Sequence, residues 1–340
     1  MEGYAPLMAC KHKRKDGYWP YYHLAHTLER DMLVKNIASL VMENPPPRPE
    51  KKKSGKGKKP VHSWEKLVCI CILMVVFGST YRDIQNMVPS LNLPWKNEPH
   101  PDHTWIARTF KKIPIKYLDD ILVRSAHLCL KESGWKKGIL GSDSTGVETD
   151  RYEKEVRPVR KKRKFELVRV KRYLKWHITA VLDHLIILSV RTTSKRTHDS
   201  PVLRTMLNKL KKYGVDLAGS IFNADTGYDA EDNCRSVFGM DMLPNIKQKI
   251  NARNKGERMK YRRKASKLFN MPVYHYRGLI EGIFGAEETE HHQLYCRFRL
   301  KNNLKRFGII KAIGWNLEVL NRLQCAKRLG IKVGQYAISN

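Results

Sequence analysis

Apolar residues recur at helical spacing along residues 24–43, where Leu24, Leu28, Met32, Leu33, Ile37, Leu40 and Val41 fall on one side. That stripe is what an amphipathic helix turns toward a core. The run LVCICILMVVF (67–77) is apolar throughout. Eleven residues cannot span a bilayer, so the run reads as a buried helix and no membrane partner is expected. After Gly78-Ser79-Thr80 comes YRDIQNMV, giving a helix-turn-helix-like outline over 61–91. DHTWIARTFKKI and KYLDDILVRSAHLCLKES add two helices, so the front third is all-α to about residue 133.

From residue 138 the pattern changes to short apolar runs bounded by turn residues. GILGSDSTGV reads as a strand, and HITAVL and LIILSV as a hairpin about a tight turn at Asp183-His184. SPVLRTMLNKLKKYG reads as an amphipathic helix with Ser200 as N-cap, Pro201 at its first position and Gly214 as its stop. GSIFNADTGY and MDMLPNIK are further strands, separated by a helix, DAEDNCRSVFG, with Asp229 as its cap. The order β, β-hairpin, α, β, α, β, α predicts an α/β domain behind the helical one.

Composition adds a partner. Among 340 residues, 65 Lys+Arg stand against 33 Asp+Glu, a net +32, with 41% hydrophobic and 29% charged residues. A compact fold bears that self-repulsion best with a polyanion bound, and nucleic acid is the leading candidate. The seven cysteines show no paired spacing, which suggests reduced thiols in a cytosol. Cys10, His12, His23 and His26 match no common zinc-finger spacing. NPPPRPEKKKSGKGKKP (44–60) has the composition of a flexible linker or basic arm, and its GKGKK lacks the spacing of a phosphate loop. The chain therefore divides into a helical segment (1–43), a basic linker (44–60), a helical, helix-turn-helix-like region expected to bind DNA (61–134), an α/β domain (135–330) and a tail (331–340).

Three acids stand out. Asp143 ends the first strand, Asp225 ends another, and Glu281 lies on the helix YHYRGLIEGIFGAEE, where Tyr274, Arg277 and Glu281 share one face at spacings of three and four. A strand-end aspartate alone caps a turn, and Arg277 with Glu281 alone is an i,i+4 pair. In a strongly basic chain the three together suit phosphodiester chemistry, in which two Mg²⁺ or Mn²⁺ ions need about three carboxylates, one of them bridging. Asp143, on the expected central strand, is the bridging candidate.

The pattern resembles the DDE transposases of prokaryotic insertion sequences whose third acid lies in a Tyr-x2-Arg-x3-Glu-x6-Lys signature. Tyr274, Arg277 and Glu281 match that signature in register. DSTG resembles the first-acid segment, NADTGYDA the second, and THDS (197–200) the His-Asp element before the intervening helix. The resemblance covers roughly 138–325. It implies an RNase H-like mixed sheet with flanking helices, preceded by an all-α N-terminal domain. It also implies that Asp143, Asp225 and Glu281 bind two divalent ions, with Tyr274 and Arg277 near the scissile phosphate or the terminal bases. The signature's lysine falls at Glu288, so either a neighbour such as Arg297 or Lys301 replaces its DNA contact or terminal-strand binding is weakened.

Two basic runs flank the acids. One, 157–177, includes Arg160, Lys161, Lys162, Arg163 and Lys164; the other, 251–267, includes Arg262 and Arg263. Both are expected to wall a DNA channel through phosphate contacts. The implied function is a transposase that cleaves double-stranded DNA at element ends and joins the 3′-hydroxyl to target DNA. It would act as a homodimer in a synaptic complex, in a prokaryotic cytoplasm near the nucleoid. Two alternatives use the same residues: an RNase H-like nuclease that cuts without joining, and a catalytically inactive DNA-binding descendant.

Overall fold

A computed structural model describes residues 18–49, 61–158, 165–249, 259–289, 294–298 and 300–330, with backbone alone at 18–22, 150–158 and 165–172. Helix α1 (Tyr18–Glu43) buries Leu33, Ile37, Leu40 and Val41 on the side the periodicity assigned. In α2 (Trp64–Val76) every residue from Lys66 onward is buried, and the Ser63 hydroxyl accepts the Lys66 N–H as N-cap. No single described helix is long and apolar enough to cross a membrane. A capping box between Thr80 and Asp83 opens α3 (Tyr81–Met87). The chain bends by 112° between α2 and α3, within the ~90–120° range of helix-turn-helix pairs. Helix α4 (His103–Lys112) is capped by Asp102, and α5 (Ile115–Ser133) stops at Gly134, whose φ of 66° glycine adopts without steric cost.

Behind these helices stands a mixed sheet flanked by helices, as the resemblance implied. Strands β1 (Ile139–Pro158), β2 (Phe165–Val181) and β3 (Ile186–Ser194) are antiparallel neighbours. Strands β4 (Ile221–Ala224) and β5 (Leu243–Ile246) run parallel to β1 on its other side, giving the order β3-β2-β1-β4-β5. Between the strands lie α6 (Asp199–Lys212) and α7 (Glu231–Phe238), followed by α8 (Lys260–Leu268), α9 (Met271–Tyr274) and α10 (Gly278–Thr289). The short β6 (Tyr295–Cys296) pairs with β1 at Glu148 and Thr149.

Several details differ from the sequence reading. β1 and β2 continue as a ribbon to the pairing Pro158–Phe165, so residues 165–177 lie within a strand rather than between strands. Val168 and Val170 alternate with Arg169 and Lys171, a period-two signal masked by the density of charge. The hairpin turn spans 182–185, four residues, with Leu185 at φ 57°. Asp183 is fully buried there, its Oδ2 accepting from the Ile139 N–H and the Trp135 indole at 3.1 Å each. Helix α6 begins two residues earlier than expected with His198 at its N-cap, and the Ser200 Oγ accepts from Asn233. Ala230, not Asp229, precedes α7, because the Asp229 carboxylate is committed elsewhere.

Helix α11 (Lys301–Arg328) escaped the sequence reading altogether. It has no polar face to set a period, being buried along most of its 28 residues. It packs on α1, α5 and β3, so the front helices and the sheet share one continuous hydrophobic core. The Asn316 side chain exchanges two 2.8 Å hydrogen bonds with the Ile187 backbone, fixing α11 against β3.

Candidate functional site

The parallel pairing of β1 with β4 ends at Ser142 opposite Ala224. Asp143 and Asp225 are the next residues. Asp225 leaves β4, whereas Asp143, expected to end its strand, stays within β1 paired with Ile178. The two carboxylates therefore sit side by side where β4 stops, with backbones roughly 5 Å apart. Asp225 caps a short 3-10 turn (Thr226–Tyr228), its Oδ1 accepting the Gly227 N–H at 2.8 Å. Asp143 accepts the Ser144 N–H at 2.8 Å and is mostly buried. Burial pushes its carboxyl up to about 6; the Ser144 N–H and Arg277 pull it down, and the charges of Asp225 and Glu281 push it further up.

The third acid arrives through a chain of asparagines. Asn223, fully buried on β4, donates to the Val273 carbonyl at 2.7 Å, and Asn245 on β5 donates to Asn223 at 2.8 Å. Asn245 also accepts the Asn270 N–H at 2.7 Å, and Asn270 caps α9. These bonds tie the start of the Tyr274–Glu281 stretch to the two strands beside Asp225. Gly141 lets α10 lie against β1, since a Cβ there would meet Ile280 Cδ1 at 2.7 Å. The stretch is not one α-helix as expected: Tyr274 ends α9, Arg277 ends a 3-10 turn and Glu281 belongs to α10. The backbone stays right-handed helical at both junctions, so the shared face survives.

Arg277 joins the acids. Its Nη1 donates to Asp143 Oδ2, its Nη2 donates to Glu281 Oε1 at 3.2 Å, and its guanidinium stands 5.9 Å from the Tyr274 ring. Glu281 keeps 64% of its side chain in solvent. Among the described residues no three His, Cys, Asp or Glu side chains are grouped closely enough to hold a metal ion; a guanidinium occupies the space between Asp143 and Glu281. The donors are nevertheless all carboxylate oxygens, the set a hard divalent cation takes. Behind the site, a buried pair between Glu287 and Lys311 at 3.0 Å fastens α10 to α11.

The structure therefore brings Asp143, Asp225, Tyr274, Arg277 and Glu281 together. Arg262 is a correction. Its guanidinium is buried and donates through Nε and Nη2 to the two oxygens of Asp229 at 2.6 Å each, which removes it from any phosphate. Arg263, next to it, is exposed. Arg160, Lys161, Lys162, Arg163 and Lys164 lie outside the described residues, as do Cys10 and His12. Glu288, at the lysine position, is exposed. The asparagine chain went unread because isolated asparagines at strand ends look like turn residues.

The protein family described as transposase DDE domain matches residues 134–317, more than half of the chain. No curated protein sequence matches it. Among solved structures, the chain is similar to the piggyBac transposase synaptic complex with hairpin DNA, at 12% identity, over 93% of this chain and 76% of that one, with a TM-score of 0.43. It is also similar to the Mos1 transposase paired-end complex with left transposon end, at 10% identity over 68% and 82% of the two chains, TM-score 0.23. The Mos1 mariner paired-end complex with Mn follows at 9% identity over 78% and 95%, TM-score 0.22.

Proposed function

Because the chain belongs to the transposase DDE-domain family, we propose that Asp143, Asp225 and Glu281 are the acids with which it cuts and joins DNA. The observation that carries this reading is the Arg277 fork, which links the acid on β1 to the acid on α10 beside the neighbouring strand-end aspartate. The three carboxylates would hold two Mg²⁺ or Mn²⁺ ions, which supply an activated oxygen nucleophile and neutralise charge on the reacting phosphate.

The chain's own groups divide the remaining work. Asp143 must ionise to serve, and Arg277 favours that anion before DNA arrives. The guanidinium, a fork matched to phosphate oxygens, then transfers from the carboxylates to the substrate. Tyr274 borders the same space. At each element end a water oxygen attacks phosphorus, the P–O3′ bond breaks, and a 3′-hydroxyl and a 5′-phosphate result. That hydroxyl oxygen then attacks a target phosphodiester, forming one P–O bond, breaking another and releasing the target's 3′-hydroxyl. Two ends are handled in one event, so the acting species is a dimer holding both terminal repeats.

The test is nicking of an element-end plasmid in Mn²⁺. Asp143→Asn is expected to abolish nicking while end binding persists. Undiminished nicking by that variant overturns the assignment.

A further inference from the structure

A cleft of about 660 Å³ opens at the free edge of the sheet, between the end of β3, the first turns of α6 and the start of α11. Its walls carry three cations, Arg191, Lys301 and Lys305, and the hydroxyls of Thr193, Ser194 and Thr197; among the described residues no acid lines it. The three cations make no ion pair among the described residues. The adjacent carboxylate, Asp199, is held by Lys175 at 2.9 Å. The Thr193 hydroxyl is fixed at 2.8 Å from His177 Nε2, and Ser194 and Thr197 hydroxyls meet at 3.1 Å.

The strand register fixes where this cleft lies. Arg191 pairs with His177, and His177 pairs with Ser144, the residue after Asp143. Arg191 is therefore two strand spacings, roughly 10 Å, across the sheet from the backbone beside Asp143 and at the same level, with its side chain on the opposite face. Lys301 and Lys305 belong to α11, which packs through Trp176 on the face of Asp143, so the cleft wraps the edge strand. Three neighbouring positive charges in a chain of net +32 repel one another, and an anion with several charges in a row relieves that repulsion best. The volume exceeds what one ion needs, and oriented hydroxyls add donors for phosphate oxygens.

We propose that this cleft binds the sugar-phosphate backbone of the DNA strand running from the catalytic acids toward β3. The proposal rests on the transposase reading only for naming DNA as the polymer. It also gives Lys301, beyond the Glu288 position, a place on the substrate.

The test measures affinity of the full chain for a short fluorescein-labelled DNA duplex across a salt series, without divalent metal. Arg191→Ala/Lys301→Ala/Lys305→Ala is expected to lower the slope of log affinity against log salt by about 2–3. The conservative Lys301→Arg/Lys305→Arg variant is expected to keep the slope. Lys211→Ala/Lys212→Ala, at the far end of α6, serves as the control and is expected to change it by less than half as much. An unchanged slope in the triple variant, or an equal fall in the control, overturns the cleft. Matching circular dichroism of all variants shows that folding is intact. Because this readout needs no cleavage, it stays separate from the Asp143→Asn result: normal nicking by that variant sinks the catalytic assignment and leaves the cleft standing.

Discussion

At one end of the sheet two neighbouring regions treat positive charge in opposite ways. Around β1 and β4 the guanidinium of Arg277 is bound by Asp143 and Glu281, and nearby that of Arg262 is bound by Asp229. Around β3, no acid among the described residues lines the cleft of Arg191, Lys301 and Lys305. An acid pocket needs a cation and a basic cleft needs an anion. A metal-dependent enzyme acting on a phosphate polymer needs both, side by side. The comparison teaches that net charge alone, which the sequence displays, says less than which cations are already neutralised.

The largest expected effect would separate the two regions by function. Asp225→Asn should cost at least ~1000-fold in Mn²⁺-dependent cleavage, about 4 kcal/mol of transition-state stabilisation, with duplex affinity within about twofold of wild type. The triple cleft variant should do the reverse, with weakened affinity but single-turnover cleavage at saturating DNA within about threefold. If both variants lose cleavage and affinity together, the regions are not distinct.

Arg262 and Arg263 offer a sharper version inside one helix. Arg262→Ala leaves Asp229 buried without its partner and should destabilise the fold by about 3–5 kcal/mol in urea melts. Arg263→Ala, on the exposed side, should change stability by less than about 0.5 kcal/mol and lower the DNA salt slope by about 1. Equal stability losses would show that the two arginines have the same surroundings.

The pH dependence of stability places the acid pocket and the cleft wall in opposition. Asp143 is pushed up to about 6, above its unfolded value near 3.9, so the folded chain holds the extra proton and stability falls as pH rises from about 4 to 6. His177, whose ring supports Thr193, is pushed down to about 4, chiefly by burial, with Lys175 and Arg191 acting in the same direction and Asp199 against it. The unfolded chain then holds the extra proton, so stability rises as pH rises from about 4 to 6.5. Each contribution is on the order of 3 kcal/mol, and in the wild type they largely cancel. Melts in metal-free buffer should show Asp143→Asn gaining stability with rising pH across that window and His177→Gln losing it. Parallel profiles for the two variants would contradict the assignment.

How much of this was legible beforehand follows from the kind of signal each feature leaves. The succession of strands and helices behind residue 138, the position of Asp225 just past a strand, and the grouping of Tyr274, Arg277 and Glu281 follow from local periodicity and stand in the structure. Asp143, read as the end of its strand, instead lies inside a β1 that runs on to Pro158. Asp229 and Arg262 were misread because their roles depend on a partner 33 residues away, which no local pattern encodes. Buried α11 lacked an amphipathic period, and the β2 extension was hidden under arginines and lysines. The cleft was invisible for a similar reason: Arg191 and Lys301 meet only once α11 closes over the edge strand. Local chemistry could be read from the chain, whereas neutralisation is a property of the assembled tertiary structure.

The smallest expected effect is the most discriminating, because it turns on sign. Arg277→Met removes a guanidinium that two carboxylates share, so the metal-free fold should lose about 1–2 kcal/mol, a modest figure because Glu281 is largely exposed. Millimolar Mn²⁺ should recover part of that loss by replacing the missing positive charge among the acids. Removing Arg191, Lys301 and Lys305 instead relieves repulsion, so melting should stay level or rise by no more than about 0.5 kcal/mol, and the gain should vanish in high salt as screening removes the repulsion it came from. Cations that hold a fold together and cations held in readiness for a polyanion thus respond with opposite signs to the same kind of truncation. A stability loss at the cleft as large as that at Arg277 would mean its cations are structural, leaving the acid pocket as the one region at this end of the sheet built for a ligand.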